Sequence, residues 1–208
     1  MVFNLRKLLP EPPREIPPQI LADYTAHYAG VMQNKFGYRR TEFNAAGFDA
    51  VARFIAHWRA AGEGRGDYPA RGLFLFGSPG TGKTTAVQFI SGLCEMDFVS
   101  TDELSRAFSL RSGEGFWRLA DEYKKRPLVV DDLGCEETSR SFGNTLPMAE
   151  FIRDRERQWK EAGICTCFTS NARSREELSK RYGSSVCSRL LGMCDFIQIK
   201  GPDKRLER

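Results

Sequence analysis

A glycine-rich run, Gly77–Thr84, has the residue types and the spacing that hold phosphate groups. It reads Gly-Ser-Pro-Gly-Thr-Gly-Lys-Thr and matches the pattern G-x-x-x-x-G-K-[ST] in full. An apolar run at 72–76 precedes it and a helical pattern from about Lys83 to Cys94 follows, so the run joins a strand to a helix. Glycines let backbone N–H groups approach phosphates, and the helix start adds partial positive charge. We predict a phosphate-binding site made of Gly77, Ser78, Pro79, Gly80, Thr81, Gly82, Lys83, Thr84 and Thr85.

Two carboxylates complete the set that a phosphate-transferring site needs. In such a site, Lys83 reaches the β- and γ-phosphates and the Thr84 hydroxyl binds Mg²⁺. Asp131 and Asp132 follow the apolar run at 128–130, and we expect that strand to lie next to the strand before Gly77, with its end facing the metal. Asp131 would then bind Mg²⁺, mostly through water, and Asp132 would polarise the attacking water. For either carboxylate taken alone, a solvated strand end is the alternative.

The elements that must position these residues alternate along the chain. Short apolar runs predict strands, and apolar residues at helical spacing predict the helices between them. This alternation favours a three-layer αβα sandwich with a mostly parallel five-stranded sheet. The predicted strands are 72–76, 97–100, 128–131, 164–169 and 196–199. The main predicted helices lie near 20–36, 44–61, 83–94, 116–123, 145–161 and 175–192, and a further helix starts near 102.

Two further polar residues separate the classes of protein that carry such a loop. Asn171 follows the predicted strand at 164–169, where AAA+ ATPases place an amide that holds the attacking water. Arg189 lies on a helix before the last strand, where AAA+ oligomers place an arginine that reaches the neighbouring subunit's ATP. Arg181 is the second candidate for that role. The alternatives are a turn asparagine and a plain surface arginine. A P-loop kinase of a small molecule would leave both residues without a role. The predicted catalytic set is Lys83, Asp132, Asn171 and Arg189.

The same motifs resemble those of the DnaC/DnaI-type helicase loaders and the related IstB transposition ATPases. The similar stretches are Gly77–Thr84, Leu128–Gly134 continuing to Glu136, Thr169–Asn171 and Ser188–Leu190. The resemblance implies an AAA+ ATPase that uses ATP and Mg²⁺, forms an ATP-dependent homo-oligomer, and binds a hexameric replicative helicase and single-stranded DNA. It also implies Phe43 and Phe48 near the adenine, and Arg205 as a second sensor.

Two other functions stay open at this stage. An IstB-like helper would bind duplex DNA and a transposase. An ATP-gated assembly protein with little turnover is consistent with Asp132, because many AAA+ proteins carry the longer glutamate at that position.

DNA-contacting residues have the expected types but no unique pattern. The candidates are Arg106, Arg111, Arg118, Lys124, Lys125 and Arg126, interleaved with Phe108, Phe116, Trp117 and Tyr123. The alternative places Phe116 and Tyr123 in the core and makes 124–126 a solvated helix end.

The chain divides by composition near residue 40. Prolines at 10, 12, 13, 17 and 18 predict an extended arm, so residues 1–40 form a candidate partner-binding arm with a short helix, and 41–208 the AAA+ ATPase domain. A net charge of +4 is compatible with nucleic acid. No apolar run approaches the roughly 20 residues that span a bilayer, and the first residues lack the pattern of a secretory signal, so we expect a cytoplasmic protein that binds no membrane.

Four of the six cysteines lie late in the chain, at 165, 167, 187 and 194. They could form a zinc site, although a C-x-C pair departs from the usual ligand spacing. We favour reduced cysteines that pack in the core.

Overall fold

The computed structural model describes residues 14–42, 44–110, 114–135, 147–203 and 206. In this part of the chain, five strands form one sheet in the order β2-β3-β4-β1-β5, and every pair is parallel. The strands are β1 Gly72–Phe76, β2 Asp97–Ser100, β3 Leu128–Leu133, β4 Thr166–Ser170 and β5 Cys194–Gln198. The helices are α1 Pro18–Gly30, α2 Ala45–Gly62, α3 Lys83–Cys94, α4 Thr101–Leu110, α5 Glu114–Tyr123, α6 Pro147–Ala162, α7 Arg175–Tyr182 and α8 Ser184–Met193, with a π-helix at Val31–Lys35.

Strand side chains alternate between two apolar cores, one on each face of the sheet. Phe74 and Val130 pack on one face with the helices α4 to α8, whereas Leu75 and Val129 pack on the other with α2 and α3. This period of two places buried side chains on both faces, as a parallel sheet covered by helices requires. The predicted three-layer αβα sandwich with a parallel five-stranded sheet is confirmed.

The strand that carries the two carboxylates does not lie beside β1, and that expectation was wrong. β4 pairs with β1 on one side and with β3 on the other. The carboxyl ends of parallel strands nevertheless meet at one edge of the sheet, so the end of β3 still lies near the loop that follows β1.

Several predicted bounds change for local reasons. The helix predicted at 175–192 is divided into α7 and α8 by Gly183, which has a left-handed φ of 87°. The strand predicted at 196–199 begins two residues earlier, at Cys194. The first helix begins at Pro18, where proline is well tolerated, and the π-helix continues it.

The segment before residue 40 packs on the same core as the segment after it. Met32 is fully buried and Tyr38 nearly so, and both belong to the apolar cluster that contains Phe48. The division at residue 40 stays a prediction, and the prolines at 10, 12 and 13 lie outside the described residues. No described helix is both long and apolar enough to cross a membrane.

The late cysteines fall on different faces of the sheet. Cys165 and Cys167 pack with α2 and α3, whereas Cys187 and Cys194 pack in the other core. Burial raises the pKa of Cys187 and Cys194 above the ordinary thiol value. The four thiols therefore do not converge on one site, and two of them pack in each core.

Candidate nucleotide site

The glycine-rich run forms a tight loop between β1 and the first turn of α3. Gly77 has a φ of 141°, and a Cβ there would lie 2.1 Å from the carbonyl oxygen of Ile199. Gly82 directly precedes α3 and has a φ of 89°, and a Cβ there would lie 3.1 Å from the ring of Tyr38. Any larger residue would therefore strain the loop at both positions.

Lys83 and Thr84 point to the two sides of this loop. Lys83 is buried, and its Nζ donates to the carbonyl oxygens of Gly77 at 2.9 Å and Ser78 at 2.8 Å. Thr84 Oγ1 donates to Asp131 Oδ1 at 3.2 Å. The loop therefore lies against the end of β3, as the predicted magnesium site requires.

Asp131 is a buried carboxylate held by two hydroxyls. Thr169 Oγ1 donates to its Oδ1 at 2.5 Å, in addition to the bond from Thr84. Burial raises the pKa of Asp131 above its ordinary value and the charge of Asp132 adds to the rise, while the hydrogen bonds from Thr169 and Thr84 oppose it.

Asp132 has a left-handed backbone, with a φ of 59°, at a register shift between β3 and β4. This conformation costs an L-residue roughly 1–2 kcal/mol, although aspartate is among the residues that adopt it. Asn171, directly after β4, donates from its Nδ2 to Asp132 Oδ1 at 3.2 Å. The ends of β3 and β4 thus bring the predicted catalytic carboxylate and amide together.

A cleft of about 680 Å³ lies over these groups. One wall consists of Pro79, Gly80, Gly82, Lys83, Thr84 and Thr85, with Asp132 and Asn171 at its end. A second wall was not predicted from the sequence, and it consists of Phe36, Gly37, Tyr38, Arg39 and Thr41.

This second wall contains two aromatic residues, Phe36 and Tyr38. Phe36 is 51% exposed, whereas Tyr38 is buried and its hydroxyl donates to Gly82 O at 3.2 Å. Phe48 is buried and stacks on the ring of Tyr38 at 6.0 Å, so it lies behind the wall. Phe43 lies outside the described residues. The run Phe36-Gly37-Tyr38-Arg39 contains aromatic and cationic groups, but the sequence has no signal that places it beside the loop.

Arg189 does not line this cleft. It extends from α8 to form an ion pair with Glu156 of α6, and it lines a separate cavity of about 520 Å³ with Trp117. Its Nε is buried and has no hydrogen-bond partner among the described residues. Burial raises the pKa of Glu156, but the hydrogen bonds from Lys160 and Arg189 outweigh it, so this pKa lies below its ordinary value.

Arg181 lies closer to the cleft than Arg189 does. It lines a cavity of about 380 Å³ together with Gly134 and Asn171, and Asn171 also lines the nucleotide cleft. The structure thus separates the two arginine candidates: the cavity of Arg181 adjoins the cleft at Asn171, whereas the cavity of Arg189 shares no lining residue with the cleft.

The candidate DNA-contacting residues are divided between core and surface. Phe116 is buried and Tyr123 packs against the same core, which confirms the alternative for these two. Trp117 is 37% exposed. Three of the cations form surface ion pairs, namely Arg106 with Asp102, Lys124 with Asp121 and Arg126 with Asp97. Arg118 and Lys125 are exposed. Arg111, Glu136, Arg205 and the side chain of Phe108 lie outside the described residues.

Comparison with known proteins returns one kind of match. No protein-family model matches the sequence, and no curated protein matches it. Among solved structures, the crystal structure of the DnaC helicase loader is similar over 63% of this chain and 79% of that chain, with 24% sequence identity and a TM-score of 0.49.

Proposed function

We propose that this protein is an ATP-hydrolysing switch that acts in the cytoplasm as a loader of a replicative helicase. The observation that supports the ATPase most strongly is the convergence at one sheet edge of Thr84, Asp131, Asp132 and Asn171 beside the glycine-rich loop. These residues come from three separate parts of the chain. Their meeting at the mouth of one cleft is what phosphate transfer to water requires.

The residues present fit ATP and Mg²⁺. The loop from Gly77 to Thr85 offers backbone N–H groups to the phosphates, and the wall around Phe36 offers an aromatic surface to the base. Thr84 Oγ1 and Asp131 Oδ1 are oxygen ligands of the kind that Mg²⁺ prefers. The chemistry that the metal supplies when bound is neutralisation of negative charge on the phosphate oxygens.

In hydrolysis, a water oxygen bonds to the γ-phosphorus, and the bond from that phosphorus to the bridging oxygen breaks. Asp132 would accept a proton from the water, and Asn171 would hold the water and Asp132 in place. Lys83 would exchange its bonds to Gly77 and Ser78 for the β- and γ-phosphates.

Arg189 would act on the ATP of a neighbouring subunit. Its position on α8, beside α6 and outside its own cleft, supports action in trans and an ATP-dependent homo-oligomer. The helicase and single-stranded DNA enter this proposal through the motif resemblance, especially Asp131–Gly134 and Ser188–Leu190.

The first experiment is size-exclusion chromatography of the full chain with its host's replicative helicase and single-stranded DNA. We expect one complex with ATP and its loss with ADP, because the γ-phosphate joins the subunits. Lys83→Ala should lose the complex. Arg189→Ala should retain ATP binding and lose about 10³–10⁵-fold in turnover, the range for an arginine that stabilises the transition state in trans.

Arg65→Ala, in the exposed loop after α2, serves as the control and should behave as the unaltered protein. Turnover that is unchanged in Arg189→Ala contradicts the trans role. A complex that forms equally with ATP and ADP contradicts the switch. Binding to duplex DNA and a transposase without helicase binding would identify the IstB-like function.

One observation favours a second function, an ATP-gated assembly protein with little turnover. The short carboxylate of Asp132 is already bound to Asn171, which restricts its reach toward a water in the cleft. An ATP-dependent complex that forms without phosphate release would support this second function.

A further inference from the structure

Asp132 has an unusual backbone that no helix end explains. Among the described residues, the non-glycine residues with positive φ are Glu95 and Asp132. Glu95 directly follows α3, where a left-handed residue commonly ends a helix. Asp132 lies within β3, where such a residue is uncommon and must be held by its surroundings.

Two buried threonines hold this backbone from opposite sides. Asp132 N donates to Thr169 Oγ1 at 2.8 Å, and Thr101 Oγ1 donates to Asp132 O at 2.7 Å. Thr169 comes from β4 and Thr101 begins α4, and neither is exposed to solvent. The backbone N–H and C=O groups of Asp132 are therefore both hydrogen-bonded to side chains from elements next to β3.

The left-handed backbone at Asp132 decides where the two carboxylates lie. In a regular strand, successive side chains point to opposite faces, so only one of the two would reach the phosphate end of the cleft. Here Asp131 binds Thr84 of the loop, and Asp132 lines the cleft beside Asn171. A local irregularity of this kind re-aims a side chain near many active sites.

We propose that Thr101 and Thr169 are positioning residues for the acidic pair, and this rests on the proposed ATPase function. Both threonines hold the left-handed backbone of Asp132, and this backbone places the Asp132 carboxylate at the cleft. Thr169 has a second task, because the hydroxyl that accepts from Asp132 N also donates to Asp131 Oδ1 at 2.5 Å and orients this predicted magnesium ligand.

The experiment compares valine, which keeps the shape of threonine, with serine, which keeps the hydroxyl. We expect Thr101→Val and Thr169→Val to lose about 10- to 100-fold in kcat, with a KM for ATP within about twofold, whereas both serine variants stay within about threefold in kcat. Thr169→Val should also raise the Mg²⁺ concentration that half-saturates turnover, and Thr101→Val should not.

Thr166→Val is the matched control, because Thr166 is a buried threonine at the other end of β4. It should lower the unfolding midpoint and leave kcat unchanged. Valine variants with the kcat of the unaltered protein overturn the proposal, as do serine variants as defective as the valine variants.

A second readout keeps this result separate from the proposed hydrolysis. The affinity for a fluorescent ATP analogue is measured with and without Mg²⁺ in the same variants. If the unaltered protein does not hydrolyse ATP, the ATPase proposal fails on its own. The positioning of Asp131 is then supported by a weaker Mg²⁺ dependence of affinity in Thr169→Val, and it is overturned by an unchanged one.

Discussion

The two edges of the sheet each bury a cation, and they hold it in different ways. At the amino edge, Arg155 is 1% exposed and donates four hydrogen bonds to acceptors that belong to the fold: Thr166 Oγ1 and the carbonyl oxygens of Tyr123, Arg126 and Cys165. At the carboxyl edge, Lys83 is 4% exposed and donates to carbonyl oxygens of its own loop.

The chemistry of the two cations suits these two tasks. A guanidinium presents its donors in a rigid fork, so Arg155 can join α5, α6 and β4 in one fixed geometry. Burial lowers the pKa of Arg155 to about 10, which leaves it charged at neutral pH. An ammonium on a flexible stem has three rotatable donors, so Lys83 can exchange partners when a phosphate arrives. Arg155 at the amino edge therefore keeps its hydrogen-bond partners, whereas Lys83 at the carboxyl edge can exchange them for a ligand.

Replacing each cation by methionine gives the largest test of this contrast. Arg155→Met should lower the free energy of unfolding by about 3–4 kcal/mol, because several buried acceptors lose their donor. Lys83→Met should change it by less than about 1 kcal/mol and reduce ATP turnover by at least ~10²–10³-fold, as loss of one donor to developing charge does. Urea denaturation and a phosphate-release assay measure the two effects.

Turnover per folded molecule should be nearly unchanged in Arg155→Met at low denaturant. A variant at Lys83 as unstable as the one at Arg155 would show that the loop lysine also supports the fold.

The carboxyl edge was largely predictable because each of its groups belongs to a short local pattern in the sequence. Gly77–Thr84 is a continuous motif between a strand and a helix, and Asp131, Asp132 and Asn171 each follow an apolar strand. Parallel strands end at one edge, so these groups had to lie on the same edge of the sheet. The order itself was not predictable, because an apolar run does not encode its neighbour.

The role of Arg155 and the cleft wall around Phe36 were not predictable for a different reason. Arg155 lies in a helix that is otherwise rich in charge, and its acceptors come from α5, β4 and the turn before β3. Phe36 is far from the loop in sequence and reaches it only because the π-helix and α2 fold back on α3. Such roles depend on tertiary packing, which a local pattern does not contain.

A smaller effect tests whether the ligand-binding part of the carboxyl edge includes Phe36 as a contact for the base. Phe36→Ala should weaken ATP binding by about 1–3 kcal/mol, the usual value of one base stacked on an aromatic ring, with little change in unfolding because Phe36 is 51% exposed. Isothermal titration with ATP and with free triphosphate measures it, and only the affinity for ATP should fall.

Tyr68→Ala is the matched control, since Tyr68 is 53% exposed and lines none of the three cavities described above. Equal losses for ATP and triphosphate in Phe36→Ala would show that Phe36 shapes the phosphate loop and does not bind the base.

The smallest effect concerns Tyr38, which connects the apolar core to the phosphate-binding loop. Its ring is packed between Phe48 and Phe89, and its hydroxyl donates to Gly82 O, which also accepts from Ala86 N at 3.0 Å. Tyr38→Phe should therefore cost only about 0.5–1 kcal/mol of unfolding free energy, because the carbonyl keeps a donor. Thermal denaturation with and without ATP measures it.

The difference in unfolding free energy between Tyr38→Phe and the unaltered protein should also depend on pH. Burial raises the pKa of Tyr38 to about 12, above its ordinary value of 10.0. Between these two values the unfolded chain releases the phenol proton and the folded chain keeps it, so the unfolded state binds fewer protons and stability falls as pH rises. The phenylalanine variant lacks this fall, and its deficit should shrink as pH increases through that interval. A deficit that stays constant there would mean that Tyr38 ionises in the folded protein as readily as in the unfolded chain and that the wall of the cleft is open to solvent.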